Sequence, residues 1–157
     1  MSDKVVEISA VWLAGASCSG CSVSLLNTVA PNIRNLLVEP VLPGKHLNLR
    51  FHATIMAGQG EPVMEVLQDT QEKKKGEYLL LLEGAVVTAD DGLYCTIGEA
   101  GGKHITLKDK FLEMAKDALA VVSVGTCASF GGIPSGCLLY TSPSPRDISG
   151  YRMPSSA

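Results

Sequence analysis

Val5-Val6-Glu7-Ile8-Ser9-Ala10-Val11-Trp12-Leu13 runs into Ala14-Gly15-Ala16-Ser17 and then Cys18-Ser19-Gly20-Cys21. The first nine residues mix alternation with β-branched side chains and read as a buried strand, and the four small residues that follow break it. A helix is expected from Ser22 or Ser24, with Val23, Leu26 and Val29 on one side. Strand, small-residue loop and helix together open a parallel α/β sheet, the architecture in which ligands sit beyond the carboxyl ends of strands.

The chain on either side keeps this alternation. Pro31 is expected to open a second short helix carrying Ile33, Leu36 and Leu37. Pro40 to Gly44 reads as a turn, and Leu47-Asn48-Leu49-Arg50-Phe51 alternates as a strand should. A helix begins near Glu61-Pro62, with Val63, Val66 and Leu67 at i, i+3 and i+4. It closes at Glu72-Lys73-Lys74-Lys75-Gly76, where cations and a glycine suit a helix C-terminus, so the lysine run is a solvated end. Tyr78-Leu79-Leu80-Leu81-Leu82 is short and continuously apolar, as in a strand covered on both faces. A Gly/Asp-rich, hairpin-like insertion covers 89–103, and Leu107, Phe111, Met114, Ala115 and Ala118 then have helical spacing. Leu119-Ala120-Val121-Val122-Ser123-Val124 is a further buried strand, ending at Gly125-Thr126-Cys127. The order predicts a doubly wound parallel sheet in three layers.

Composition narrows the class. The 157 residues suffice for one domain, and 46% hydrophobic against 18% charged residues is a globular balance. A net charge of −3 gives no basic face, so nucleic acid is not an expected partner. The longest apolar runs are too short for a membrane span, and Met1-Ser2-Asp3-Lys4-Val5 resembles no export signal, so a cytoplasmic chain is expected. Five cysteines, an odd number, argue against a disulfide framework. From Cys137 onward the character changes. Cys137-Leu138-Leu139-Tyr140-Thr141-Ser142-Pro143-Ser144-Pro145-Arg146-Asp147 has no helical or strand period and resembles the conceptual translation of a DNA-sequencing adapter. Arg152-Met153-Pro154-Ser155-Ser156-Ala157 resembles its continuation, so 1–136 is expected to be the domain and 137–157 a non-native tail.

The chemistry lies in the cysteines. Cys18-Ser19-Gly20-Cys21 is a C-x-x-C, a spacing that lets two thiolates face one centre but leaves iron–sulfur cluster, zinc and redox dithiol open. A third thiol, Cys127, also follows a strand, and Gly125, Gly131 and Gly132 free the backbone to wrap closely. Three cysteines on loops at one sheet edge favour a cluster over a disulfide switch; zinc and inert or redox thiols remain alternatives. Glu83, ending a buried strand, needs a partner, because an unpaired buried carboxylate is costly.

Four ordered segments carry a family resemblance. Trp12-Leu13-Ala14-Gly15-Ala16-Ser17-Cys18-Ser19-Gly20-Cys21-Ser22-Val23-Ser24 resembles the opening motif of nickel–iron hydrogenase small subunits. Leu82-Glu83-Gly84-Ala85, Asp91-Gly92-Leu93-Tyr94-Cys95-Thr96-Ile97-Gly98 and Val124-Gly125-Thr126-Cys127-Ala128-Ser129-Phe130-Gly131-Gly132-Ile133-Pro134 are similar to the family's later motifs. The resemblance implies a flavodoxin-like domain in which Cys18, Cys21 and Cys127 are three of four ligands of a proximal 4Fe–4S cluster, with Gly20, Gly125, Thr126 and Glu83 around it. The family's fourth ligand lies in a G-C-P-P segment that this chain lacks, and Cys137 is not cast in that role. Nor does the chain contain the family's second domain, which holds the medial and distal clusters. Glu83 is implied to stand beside the cluster, with an electrostatic or proton-handling role or, alternatively, as a capping hydrogen-bond acceptor. The amides of Gly20, Gly131 and Gly132 are candidates for hydrogen bonds to the sulfurs.

Cys95 is expected to pack as a small hydrophobe and His46, His52 and His104 to be surface or satisfied residues. Oxygen-tolerant relatives carry extra cysteines where this chain has Gly20 and Gly132, and Ser17 replaces a glutamate found in some members. The implied function is electron relay between the nickel–iron site of a separate large subunit, the required partner, and a redox acceptor. The alternatives are a regulatory hydrogen-sensor subunit, the related cluster-carrying subunit of complex I, whose adjacent cysteines differ from the spaced pair here, and a flavin-binding flavodoxin-like module.

Overall fold

The computed structural model describes residues 6–39 and 44–132; the expected turn at 40–43 and the segment from 133 onward, with Cys137, lie outside the described residues. In chain order come β1 (Val6–Ala14), α1 (Gly20–Leu26), α2 (Ile33–Val38), β2 (Lys45–His52), α3 (Glu61–Lys73), β3 (Tyr78–Glu83), a short 3-10 turn (Ala89–Gly92), β4 (Thr96–Ala100), β5 (Lys103–Thr106), α4 (Leu107–Asp117), β6 (Ala120–Val124) and α5 (Gly125–Phe130).

Four strands form one parallel sheet in the order β2-β1-β3-β6, while β4 and β5 make a separate antiparallel hairpin where the insertion was expected. The chain moves outward from β1 to β2 and then back past it to β3. Right-handed crossovers in opposite directions place their helices on opposite faces, which is the doubly wound arrangement. The register shows this: Ser9, Val11 and Leu13 of β1 stand opposite Tyr78, Leu80 and Leu82 of β3, all on one face. That face packs with Phe51, with Met64 and Leu67 of α3, and with Leu107 and Met114 of α4 as one core. On the other face, Trp12 lies opposite both His52 of β2 and Leu81 of β3, and Ala14 opposite Glu83.

Three expectations need correction. The side of α1 expected to bury Val23, Leu26 and Val29 is largely exposed, with Val29 beyond the helix and 89% accessible; Ser22 is the buried residue there. Apolar spacing could not reveal that a buried carboxylate had claimed this helix's inward face. Pro31 does not itself start α2; Asn32 caps it, its side chain accepting from the Asn35 amide while Asn35 returns the bond. The run from Leu119 does form a strand, but Val121 and Val122 are 45% and 41% exposed. A continuous apolar run states what a strand could bury. Among the described residues β6 pairs with β3 alone, so much of that surface stays open.

Tyr78 anchors the long α4 to the central strand by donating to the Met114 carbonyl at 2.5 Å. Burial, then the charges of Asp117 and Glu113, push its phenol up to about 12. A raised phenol pKa stabilises the fold fully below the unfolded value of about 10 and loses that contribution as pH rises through about 12. Tyr78→Phe should cost about 1 kcal/mol at neutral pH. Denaturant titrations should show that, unlike the parent, it does not lose this increment of stability between about pH 10 and about 12.

Candidate functional site

The carboxyl ends of β1 and β3 meet at the point where the strand order reverses. Gly15 N–H donates to the Glu83 carbonyl at 2.7 Å, and Ala16 and Ala85 exchange backbone bonds of 3.0 and 3.1 Å. This approach needs glycine: a Cβ on Gly84, whose φ is +83°, would stand 2.7 Å from Ser17 Cβ. Past the junction, Ser19 takes a left-handed conformation with φ 58° and α1 begins, Cys18 lying outside it and Cys21 within its first turn. The two cysteines therefore do not share a loop as expected.

Cys127 corrects the same expectation, for it sits in α5. Gly125, with φ +80°, makes the turn from β6 into that helix. A Cβ on Gly125 would collide with the Cys21 sulfur, so the backbone at the end of β6 lies directly against the thiol of α1. Gly132 stands in the same relation to the Cys127 sulfur, and a Cβ on Gly20 would be 3.1 Å from the Cys18 sulfur. Each of the three sulfurs thus rests beside a glycine. Burial pushes the Cys21 thiol up, followed by the charges of Glu83, Cys18 and Cys127. All three groups thus lie within electrostatic reach of that sulfur. The amide hypothesis fares less well: Gly131 N–H donates to the Cys127 carbonyl at 2.9 Å rather than to a sulfur. What Gly20, Gly125 and Gly132 provide is a backbone that can lie against a sulfur with no Cβ in the way.

Among the described residues, no three His, Cys, Asp or Glu side chains converge closely enough to hold one metal ion. A 4Fe–4S cluster holds its thiolates around a larger inorganic core, and three sulfurs each set against a glycine backbone fit such a group. Thr126 is exposed, as is Gly125 apart from its contact with Cys21. Cys95 packs against the core, where burial raises its thiol pKa.

Glu83 lies beneath the bay and is 1% exposed. Its Oε2 accepts from Trp12 Nε1 at 3.0 Å and from the Ser22 hydroxyl, and its Oε1 accepts from the Ser22 amide at 3.2 Å. Burial would raise this carboxyl, but the bonds from Ser22, Trp12 and the Cys21 amide outweigh it and hold the group below the ordinary range. The Ser22 hydroxyl also meets His52 Nε2 at 3.3 Å, and the His52 ring stacks on Trp12 with centroids 4.8 Å apart. His52 is buried and satisfied as expected, and His46 bonds the Leu37 carbonyl at 2.8 Å while exposed His104 pairs with Glu99. Ser22, Trp12 and His52 went unnoticed as a group in the sequence. The available signal was Glu83 itself, a buried acid that had to find donors.

Because its folded pKa is depressed, Glu83 contributes stability that is present above the unfolded carboxylate value and is lost as pH falls through the folded one. Glu83→Gln should cost about 2–3 kcal/mol at neutral pH. Its stability curve should also be flatter than the parent's below about pH 4.3 in acid titrations followed by circular dichroism.

A family model described as NADH ubiquinone oxidoreductase, 20 Kd subunit, matches residues 18–150, and the chain belongs to that family. More particularly, its relatives are hydrogenase small subunits. It is 39% identical over 140 residues to the periplasmic [NiFeSe] hydrogenase small subunit of Desulfomicrobium baculatum, covering 86% of this chain and 42% of that protein. It is 31% identical over 123 residues to the hydrogenase-2 small chain of Escherichia coli K12, covering 78% and 30%. Among solved structures, the recombinant [NiFeSe] hydrogenase of Desulfovibrio vulgaris Hildenborough superposes with a TM-score of 0.77 at 41% identity, over 86% of this chain and 46% of that one. The chain therefore spans less than half the length of these relatives, and the flavodoxin-like sheet expected from the sequence is the fold they share.

Proposed function

We propose that this chain is the electron-transfer part of a nickel–iron hydrogenase small subunit, with Cys18, Cys21 and Cys127 ligating a proximal 4Fe–4S cluster. The cluster would pass electrons between the nickel–iron site of a separate large subunit and a redox acceptor. The observation that carries the reading is the seat of the Cys21 sulfur against Gly125, which joins the C-x-x-C of β1–α1 to the end of β6 and the helix bearing Cys127. When bound, the group supplies one-electron chemistry. The chain's own residues position it. β1 and β6 deliver the segments carrying the thiols to one end of the sheet, Gly20, Gly125 and Gly132 let the backbone lie against the sulfurs, and Glu83 at the end of β3 anchors the start of α1. The thiols must lose their protons to ligate, so cluster insertion offsets the raised pKa of Cys21. We propose that the fourth ligand is supplied by a G-C-P-P segment like that of the family, and not by Cys137.

The test uses the complete small subunit assembled with its large subunit and purified without oxygen. Cys21→Ser and Cys127→Ser should each remove one cluster's worth of iron and sulfide, together with its electron paramagnetic resonance signal after reduction. Gly125→Ala, which keeps every thiol, should cause the same loss by driving a methyl group into the Cys21 sulfur. Unchanged iron content in the two serine variants would sink the reading.

A further inference from the structure

The electron-relay reading uses the cysteines, the glycines and Glu83, and leaves a buried histidine without a task. His52 ends β2, on the far side of β1 from Glu83. Thr54 N–H donates to its Nδ1 at 3.2 Å, so that nitrogen carries a lone pair and a neutral ring keeps its proton on Nε2. The Nε2–H then donates to the Ser22 hydroxyl at 3.3 Å, which donates in turn to Glu83 Oε2. Burial favours the neutral ring, lowering the His52 pKa against the opposing charge of Glu83. The bonds thus have one direction: Thr54 to His52, His52 to Ser22, Ser22 to Glu83.

Ser22 follows Cys21, and the Ser22 amide that donates to Glu83 Oε1 belongs to the peptide joining the two. Whatever fixes Ser22 therefore fixes the backbone from which the Cys21 sulfur projects. We propose that His52 is a positioning residue for the cluster bay: through Ser22 it orients the Glu83 carboxylate and the Cys21–Ser22 peptide, and so tunes the reduction potential of a cluster ligated by Cys21. Without the Nε2 donor, the Ser22 hydroxyl is free to rotate and one of the carboxylate's donors becomes intermittent. A fixed anion close to a cluster disfavours the added electron, and hydrogen bonding around the ligands sets the potential further. Trp12 completes the cage, stacked on the His52 ring while its indole N–H donates to the same carboxylate.

This inference rests on the electron-relay reading, and the experiment separates the two. The proximal-cluster signal is titrated potentiometrically in the assembled protein carrying His52→Phe, His52→Gln, Ser22→Ala and Glu83→Gln. Phenylalanine keeps the ring on Trp12 and removes both nitrogens; glutamine restores a donor near the Nε2 position. Glu83→Gln, which removes the charge, should raise the midpoint potential; His52→Phe and Ser22→Ala, which leave the carboxylate ionised with a donor weakened or lost, should lower it; and His52→Gln should bring it back toward the parent value. The double variant of His52→Phe with Ser22→Ala should shift it no further than Ser22→Ala alone, because both cut one chain of bonds. If His52→Phe leaves potential and spectrum unchanged, or if glutamine and phenylalanine shift them equally, the positioning role is overturned. Should His52→Phe fail to assemble, an unchanged potential in Ser22→Ala overturns it too. A parent complex with no cluster signal fails at the earlier step and overturns both readings.

Discussion

The buried carboxylate of Glu83 is the constraint on which the rest of this arrangement depends. A charge with 1% exposure at the end of the central strand must be met by donors, and these come from β1 through Trp12 and from α1 through the amide and hydroxyl of Ser22. Meeting them sets the start of α1 against β3 and turns Ser22, rather than the apolar Val23 or Leu26, toward the sheet. The position of Cys21 follows from this, since it is one residue before the anchored amide. The apolar face of the sheet, with Leu67 and Met114 packed on it, supplies the bulk of the core. That face could be built many ways, whereas the polar face admits few.

Glycine does the complementary work. At the junction of β1 and β3, Gly15 and Gly84 permit a backbone approach that a Cβ would block, and around the thiols Gly20, Gly125 and Gly132 let the backbone lie against the sulfurs, where a Cβ would collide or crowd. A bay of this kind is shaped from below by hydrogen bonds and from the sides by missing side chains. Neither alone would suit a large inorganic group, since a tightly bonded loop with side chains would be full and a glycine loop without anchors would be loose.

Much of this could be read from the chain before its structure. Alternating segments gave the strand and helix order, and the ends of β1 and β6 gave the segments on which Cys18, Cys21 and Cys127 sit. Local periodicity reports what each segment could bury, and it misled where burial depends on distant neighbours. The run at Leu119 looked buried because its composition suited a covered strand, and the spacing of Val23, Leu26 and Val29 suggested a core face that Ser22 occupies instead. The α5 helix was hidden by glycines that also permit loops. The Thr54–His52–Ser22–Glu83 chain was illegible for a different reason. Its links join residues 30 and 61 positions apart, and only the register of β2, β1 and β3 brings them together.

The open flank of β6 bears on the order in which this protein can be put together. Val121 and Val122 show themselves on a strand whose hydrogen-bonding groups, among the described residues, are matched on one side only. Such an edge does not discriminate: any extended apolar segment nearby can zip onto it. In a cell the outcome is then a race between the proper neighbour and every other unfolded chain in reach. It is decided by timing and local concentration rather than by which pairing is strongest.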